Sequence, residues 1–320
     1  MLPTTISALT VRPVERTDLP KIAILLEICE AIDRLDVNRS LEELEQSFDY
    51  EPPETSRGWS LWEDAEGHVV AYGFYGVRDR EERDSAYLHI VVRPDYREGS
   101  LPDDILYWCE QGIAQLTPDA TLWAGARDTF RFDVELYKRN GYEVVRQFGR
   151  MQRSLLTPFP APQFPEGFVV RTSQGETDAE CWVEMYNQTF IDHWEFHPMT
   201  VEVYKARLQR PIYQPDLDWV AIAPEGTFAA FATCGIAEKA NVRTGRQEGW
   251  VNILGTRRGF RRQGLGRAML LTGMQALKNS GMTTALLGVD ADNQNQARKL
   301  YESVGFEWVH TFLSYKKQLE

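Results

Sequence analysis

"RRGFRRQGLGRAML" (257–270) sets arginines beside glycines and then turns apolar. The chain around it is acidic, with a formal net charge of −12 over 320 residues, so positive charge gathered at one turn needs a reason. The preceding segment, "GWVNILGT" (249–256), alternates and is rich in apolar and β-branched residues, which predicts a strand. The following segment, "GLGRAMLLTGMQALKNSG" (264–281), predicts a helix: Leu270, Met274 and Leu277 recur at helical spacing and Gly281 supplies a stop. The quoted stretch is therefore the turn from a strand into a helix N-terminus. There the first backbone N–H groups lack intrahelical partners and carry partial positive charge. Gly264 and Gly266 remove side chains that would hold an anion away, and Arg261, Arg262 and Arg267 add full charges. The arrangement predicts a pyrophosphate cradle. No Gly-Lys-Ser/Thr follows, so it is not a P-loop, and the spacing is not that of the dinucleotide fingerprint.

Outward from this turn the chain repeats itself. "LTVRPVERTDLPKIAILLE" opens the first half and "FVVRTSQGETDAECWVEMY" the second: a short strand ending in Arg, a polar turn with Asp, an amphipathic helix. "WSLWEDAEGHVVAYGFYG" and "WVAIAPEGTFAAFATCG" both read as hairpins with an Asp/Glu-Gly turn. "LYKRNGYE" (136–143) matches "LYESVGFE" (300–307). A repeat this long is a duplicated domain. Between the halves, "TPFPAPQFPEG" (157–167) carries prolines that exclude a helix or a central strand. The expected layout is an N-terminal domain at 1–158, a Pro-rich linker at 159–166 and a C-terminal domain at 167–320. The α/β element order in each predicts a mixed, mostly antiparallel sheet flanked by helices.

Arg261-x-x-Gly264-x-Gly266 after an apolar strand resembles the acetyl-CoA pyrophosphate motif of the GNAT superfamily of N-acetyltransferases. A second landmark follows in order: "GVDADNQNQARKLYESVGF" (288–306) resembles the family's strand, Asn, Leu-Tyr helix and Gly-Phe. The resemblance covers roughly 168–318 and, more weakly, 9–155. Two such domains in tandem are similar to the arrangement of mycothiol synthase and related acetyltransferases.

The resemblance implies two tandem GNAT-like domains and a direct transfer: an amine attacks the thioester of acetyl-CoA and CoA thiolate leaves. It implies that backbone N–H groups across Arg262, Gln263, Gly264, Leu265, Gly266 and Arg267 hold the pyrophosphate. Leu254, Gly255 and Thr256 match the strand that pairs with the pantetheine arm and polarises the thioester carbonyl. Tyr301 is the candidate general acid, on a helix whose apolar face includes Ala297, Leu300 and Val304; a core aromatic is the alternative. Asn293 caps that helix, contacts CoA, or does both. An alkyl amine is mostly protonated at pH 7, so a base is needed. Glu248 is the first candidate, sharing a face with Trp250, Asn252 and Leu254 by strict alternation; a solvated charge at a strand start is the alternative. "FIDHWEFHP" (190–198) places Asp192, His193, Trp194 and Glu195 where acceptor loops lie in this family, in a spacing that matches no standard metal site.

The first half departs from the pattern. Displaced by 164 residues, Gly264 corresponds to Ser100, Gly266 to Pro102 and Asn293 to Thr129, while Tyr137 matches Tyr301. Asp103 and Asp104 stand at the helix start, where acids suit an empty N-terminus and repel phosphate. This domain is expected to keep the fold without the CoA site. An acidic surface disfavours nucleic acid as a partner. Cys29, Cys109, Cys181 and Cys234 form no Cys-x-x-Cys pair and read as buried thiols in a reducing compartment. Neither a secretory leader nor a membrane span is expected, so the setting is cytoplasmic. The expected acceptor is a small-molecule amine or a peptide N-terminus, with no metal. A CoA-sensing module without turnover is the contrasting function. Monomer and homodimer stay open.

Overall fold

The structure, a computed structural model, describes residues 9–36, 39–49, 55–78, 85–192, 196–210, 212–292 and 297–319. In chain order the elements are β1 (Thr10–Pro13), α1 (Leu19–Asp33), α2 (Leu41–Asp49), β2 (Thr55–Glu63), β3 (Val69–Arg78), β4 (Ser85–Val92), α3 (Leu101–Leu116), β5 (Thr121–Arg127), α4 (Arg131–Arg139) and β6 (Glu143–Ser154). There follow β7 (Val169–Thr172), α5 (Ala179–Phe190), α6 (Val201–Leu208), β8 (Asp218–Ile222), β9 (Phe228–Gly235), α7 (Glu238–Thr244), β10 (Glu248–Thr256), α8 (Leu265–Asn279), β11 (Thr284–Asp290), α9 (Ala297–Ser303) and β12 (Glu307–Gln318).

The chain forms two compact units, Met1–Phe148 with His310–Glu320, and Gly149–Val309. These bounds do not coincide with the Pro-rich stretch. That stretch packs on the second unit: Phe159 lies against the cluster of Leu270, Leu277 and Tyr301, and Phe164 against that of Leu265 and Met269. Prolines stop secondary structure but do not stop aromatic side chains from being buried. The C-terminal strand returns to the first unit, where Tyr315 is fully buried against Tyr137 and Lys317 binds Glu110 at 2.8 Å.

In the first unit the strands run β1-β2-β3-β4-β5, then β12 and the start of β6; in the second they run from the end of β6 through β11-β10-β9-β8 to β7. Each unit has antiparallel pairs and one parallel pair among the described residues, β4 with β5 in the first and β10 with β11 in the second. Side-chain detail repeats as well. Arg12 grips Asp18 at 2.6 Å and Arg171 grips Asp178 at 2.6 Å, each tying a strand end to the following turn. Of the cysteines, Cys29, Cys109 and Cys234 are buried, but Cys181 is exposed. It falls on the outer side of α5, whose inner side carries Ala179, Trp182, Val183 and Met185.

Candidate active site

Strand β10 is the axis of the site. It pairs with β11 from Glu248–Thr284 to Val251–Leu287, and the parallel pairing then ends. Beyond Val251, among the described residues, β10 continues to Thr256 with β9 alone beside it. The two parallel strands thus splay, leaving one edge of Asn252–Thr256 without a strand partner. An unpaired edge offers backbone N–H and C=O groups to an extended ligand.

The splayed edge leads into the basic turn. Gly264 has φ +83° and serves as the N-cap of α8, and Arg262 adopts φ +65°. Two left-handed residues in so short a turn, one of them not glycine, bend the chain sharply before the helix. Gly266 lies close to β10: a Cβ there would stand 3.4 Å from Thr256 Oγ1 and 3.6 Å from Leu300 Cδ2. The glycine thus keeps a gap open between α8, β10 and α9. Leu265 is 1% exposed, so its side chain belongs to the core and only its backbone faces the turn.

The arginines divide by partner. Arg257 pairs with Glu184 at 2.6 Å and Arg258 with Asp192. Arg261 donates to the Thr256 carbonyl at 3.3 Å and to the Thr189 carbonyl at 2.8 Å, with Asp192 3.7 Å away. Its first task is therefore to tie the strand end to α5. Arg267 donates to Ser303 Oγ at 2.7 Å, a neutral partner, and pairs with no acid among the described residues. Arg262 is exposed and makes no hydrogen bond or ion pair among the described residues. Gln263 is likewise exposed.

Tyr301 sits on α9, 8% exposed, in the cluster that Leu254 and Leu300 pack against. Its hydroxyl has no hydrogen-bond partner among the described residues. Burial pushes its pKa up to about 12, because the interior disfavours the phenolate. The phenol therefore holds its proton throughout the neutral range.

Glu248 departs from the expected geometry. A bulge between Val251 and Ile253 shifts the phase of β10. Val251 and Leu254 both pack toward α8, while Ile253 packs against Trp182 and Phe231 beneath α5. Glu248 and Trp250 consequently share the face away from α8, and Leu254 does not. One extra residue in a strand reverses every side chain beyond it, which strict alternation from the sequence cannot foresee. Glu248 is also held by Arg150 at 3.8 Å and Arg246 at 3.5 Å. It lies six residues from Leu254, about 20 Å along a strand. Asp192 is exposed and bound to Arg258. His193, Trp194, Glu195 and Asn293 lie outside the described residues.

The first unit has the same splay: β4 pairs with β5 only from Ser85–Thr121 to Tyr87–Trp123. Arg97 donates to the Val92 carbonyl at 3.0 Å, as Arg261 does to that of Thr256. Beyond this the units part. Ser100 takes the N-cap place that Gly264 holds in the second unit, and the left-handed glycine, Gly99 with φ +94°, stands one position earlier. Pro102 sits where Gly266 would offer an N–H. Asp103 is bound by Arg139 at 2.8 Å, at the place of the Arg267–Ser303 contact, so the charge at the helix start is inverted. Arg97 is itself engaged by Asp33 at 2.5 Å and lies over the rings of Phe130 and Phe132.

Comparison with known proteins defines the class. Residues 179–306 match the acetyltransferase (GNAT) family. The mycothiol acetyltransferase of Streptomyces scabiei is 31% identical over 251 residues, 77% of this chain and 76% of that protein. The mycothiol acetyltransferase of Thermobispora bispora is 36% identical over 166 residues, 52% of this chain and 55% of that protein. A tandem GNAT protein from the clavulanic acid biosynthesis pathway shares the fold with a TM-score of 0.78 at 14% identity, over 98% of this chain and 99% of that one. The chain belongs to the GNAT family of acetyltransferases and has its tandem form. It is accordingly an N-acetyltransferase, of a family that uses acetyl-CoA as co-substrate. No helix among the described residues is long and apolar enough to cross a membrane.

Proposed function

We propose that the second unit transfers an acetyl group from acetyl-CoA to a primary amine by direct attack, and that the first unit has no acetyl-CoA site. The carrying observation is the splayed edge of β10 running into the open N-terminus of α8. Bound acetyl-CoA supplies an activated acyl group on a thiol that leaves readily. The residues fit it. The backbone from Arg262 to Arg267 presents helix N–H groups to pyrophosphate, with Arg262 and Arg267 free of acidic partners among the described residues. The edge of Leu254, Gly255 and Thr256 pairs with the pantetheine arm, and an N–H there stabilises the developing oxyanion. Tyr301 gives its proton to the departing thiolate. The acceptor's proton passes to solvent, or along a chain of waters to Glu248. No metal enters this scheme.

The relatives' name supports a narrower reading, a mycothiol acetyltransferase. Acetylation of the mycothiol precursor amine by the purified protein tests it. The first experiment is calorimetric titration with acetyl-CoA. One site per chain, lost in Gly266→Val, is the expected result. Two sites would return cofactor binding to the first unit, and none would overturn the proposal.

A further inference from the structure

The bulge that displaces Glu248 presents another residue. Asn252 stands at the bulge, at the first position of β10 past its last pairing with β11. It is exposed, and its carboxamide makes no hydrogen bond among the described residues. The neighbouring strands clear space on both sides. On β9, a Cβ at Gly235 would fall 2.7 Å from Asn252 Nδ2, so glycine there lets the amide lie over β9 without turning aside. On β11, Gly288 is exposed and no described residue lies within 4 Å of where its Cβ would be. Ala285, Leu287 and Val289 point into the cluster that includes α8 residues, so Gly288 faces the same side as Trp250.

The result is a trough across three strands, Gly235–Asn252–Gly288, with the Asn252 carboxamide in its floor. Trp250, lying against the Arg150 guanidinium at 4.9 Å, walls one side. Gln214, bonded to both the N–H and the carbonyl of Ile236 at 2.8 and 3.1 Å, closes the β9 end. The trough opens on the face away from α8, whereas Tyr301 belongs to the cluster on the α8 side. A nucleophile in the trough and a proton donor for the leaving group would thus approach the same strand edge from opposite sides.

We propose that Asn252 is the acceptor-positioning residue: its carboxamide oxygen accepts a hydrogen bond from the incoming primary amine and aims the nitrogen at the thioester. The carboxamide takes no proton, so its contribution is orientation. The assignment rests on the acetyl-CoA reading above, and the test separates the two. The probe is a non-hydrolysable CoA thioether carrying –CH2–C(O)–NH–CH2CH2–OH, which extends past the acyl carbon into the trough. Its affinity and that of acetyl-CoA are measured calorimetrically on wild type, Asn252→Ala and Gly288→Val. Gly288 has no left-handed φ and, among the described residues, open space above it, so valine is accommodated while filling the trough. The expected result is a loss of about tenfold in probe affinity for Asn252→Ala, the worth of one hydrogen bond, and a larger loss for Gly288→Val. Acetyl-CoA affinity should stay within twofold for both. Equal probe affinity in wild type and Asn252→Ala overturns the role of Asn252. Failure of acetyl-CoA itself to bind wild type overturns the reading beneath it.

Discussion

At the residue scale, the five arginines of the opening stretch are not equivalent, and their partners say which can serve an anion. Arg257 and Arg258 are already matched by Glu184 and Asp192, and Arg261 is spent on backbone carbonyls. Arg262→Ala should weaken acetyl-CoA binding about tenfold, whereas Arg257→Ala should change it less than twofold; titration calorimetry reads both. Tyr301→Phe should lower kcat about a hundredfold while leaving acetyl-CoA affinity intact. Because burial raises this phenol to about 12, its ionisation contributes no alkaline limb below pH 10. A kcat profile for wild type that falls with an apparent pKa near 8 would therefore have to come from another group.

At the element scale, β12 matters most for how the chain can be cut. Its residues from His310 onward complete the first unit, pairing with β5 from Phe312–Arg127 to Gln318–Thr121. Tyr315 fills the core beside Tyr137, and the Lys317–Glu110 pair is largely buried. Removing residues 310–320 should destabilise the first unit by at least ~3 kcal/mol, the cost of losing one buried aromatic, and chemical denaturation followed by tryptophan fluorescence measures it. Expression of 167–320 alone is predicted to leave β12 without its β5 partner and exposed to aggregation. The Pro-rich segment belongs to this scale too. Its phenylalanines were legible in the sequence, but their burial was not, because composition records where secondary structure stops and not what a rigid segment lies against.

At the scale of the whole molecule, the two units share a plan and differ at the helix start after the splayed strand. The first unit kept the strand splay and the Arg97 clasp, while Pro102 and the Asp103–Arg139 pair occupy the helix start. A cost remains in that unit. Asp133 makes no hydrogen bond among the described residues, and burial pushes its pKa up to about 7. Between about pH 4 and 7 the folded chain holds a proton that the unfolded chain releases, so stability from this group declines as pH rises through that window. Asp133→Asn should therefore raise Tm at pH 8 and change it little at pH 4; differential scanning calorimetry at the two values decides.

The sequence by itself determined the duplication, the strand-turn-helix around Gly264 and the helix carrying Tyr301. Each is local: spacing, glycine at a turn and apolar periodicity act through neighbours in the chain. The tertiary structure alone decided the phase of β10, the partners of the arginines and the return of β12 to the first unit. A bulge depends on the strands alongside, an ion pair on which side chains arrive from elsewhere, and a sheet edge on whichever strand fits it. None of these is encoded in a window of neighbouring residues. Glu248 and Leu254 therefore read as one face in the sequence and stand on two in the fold.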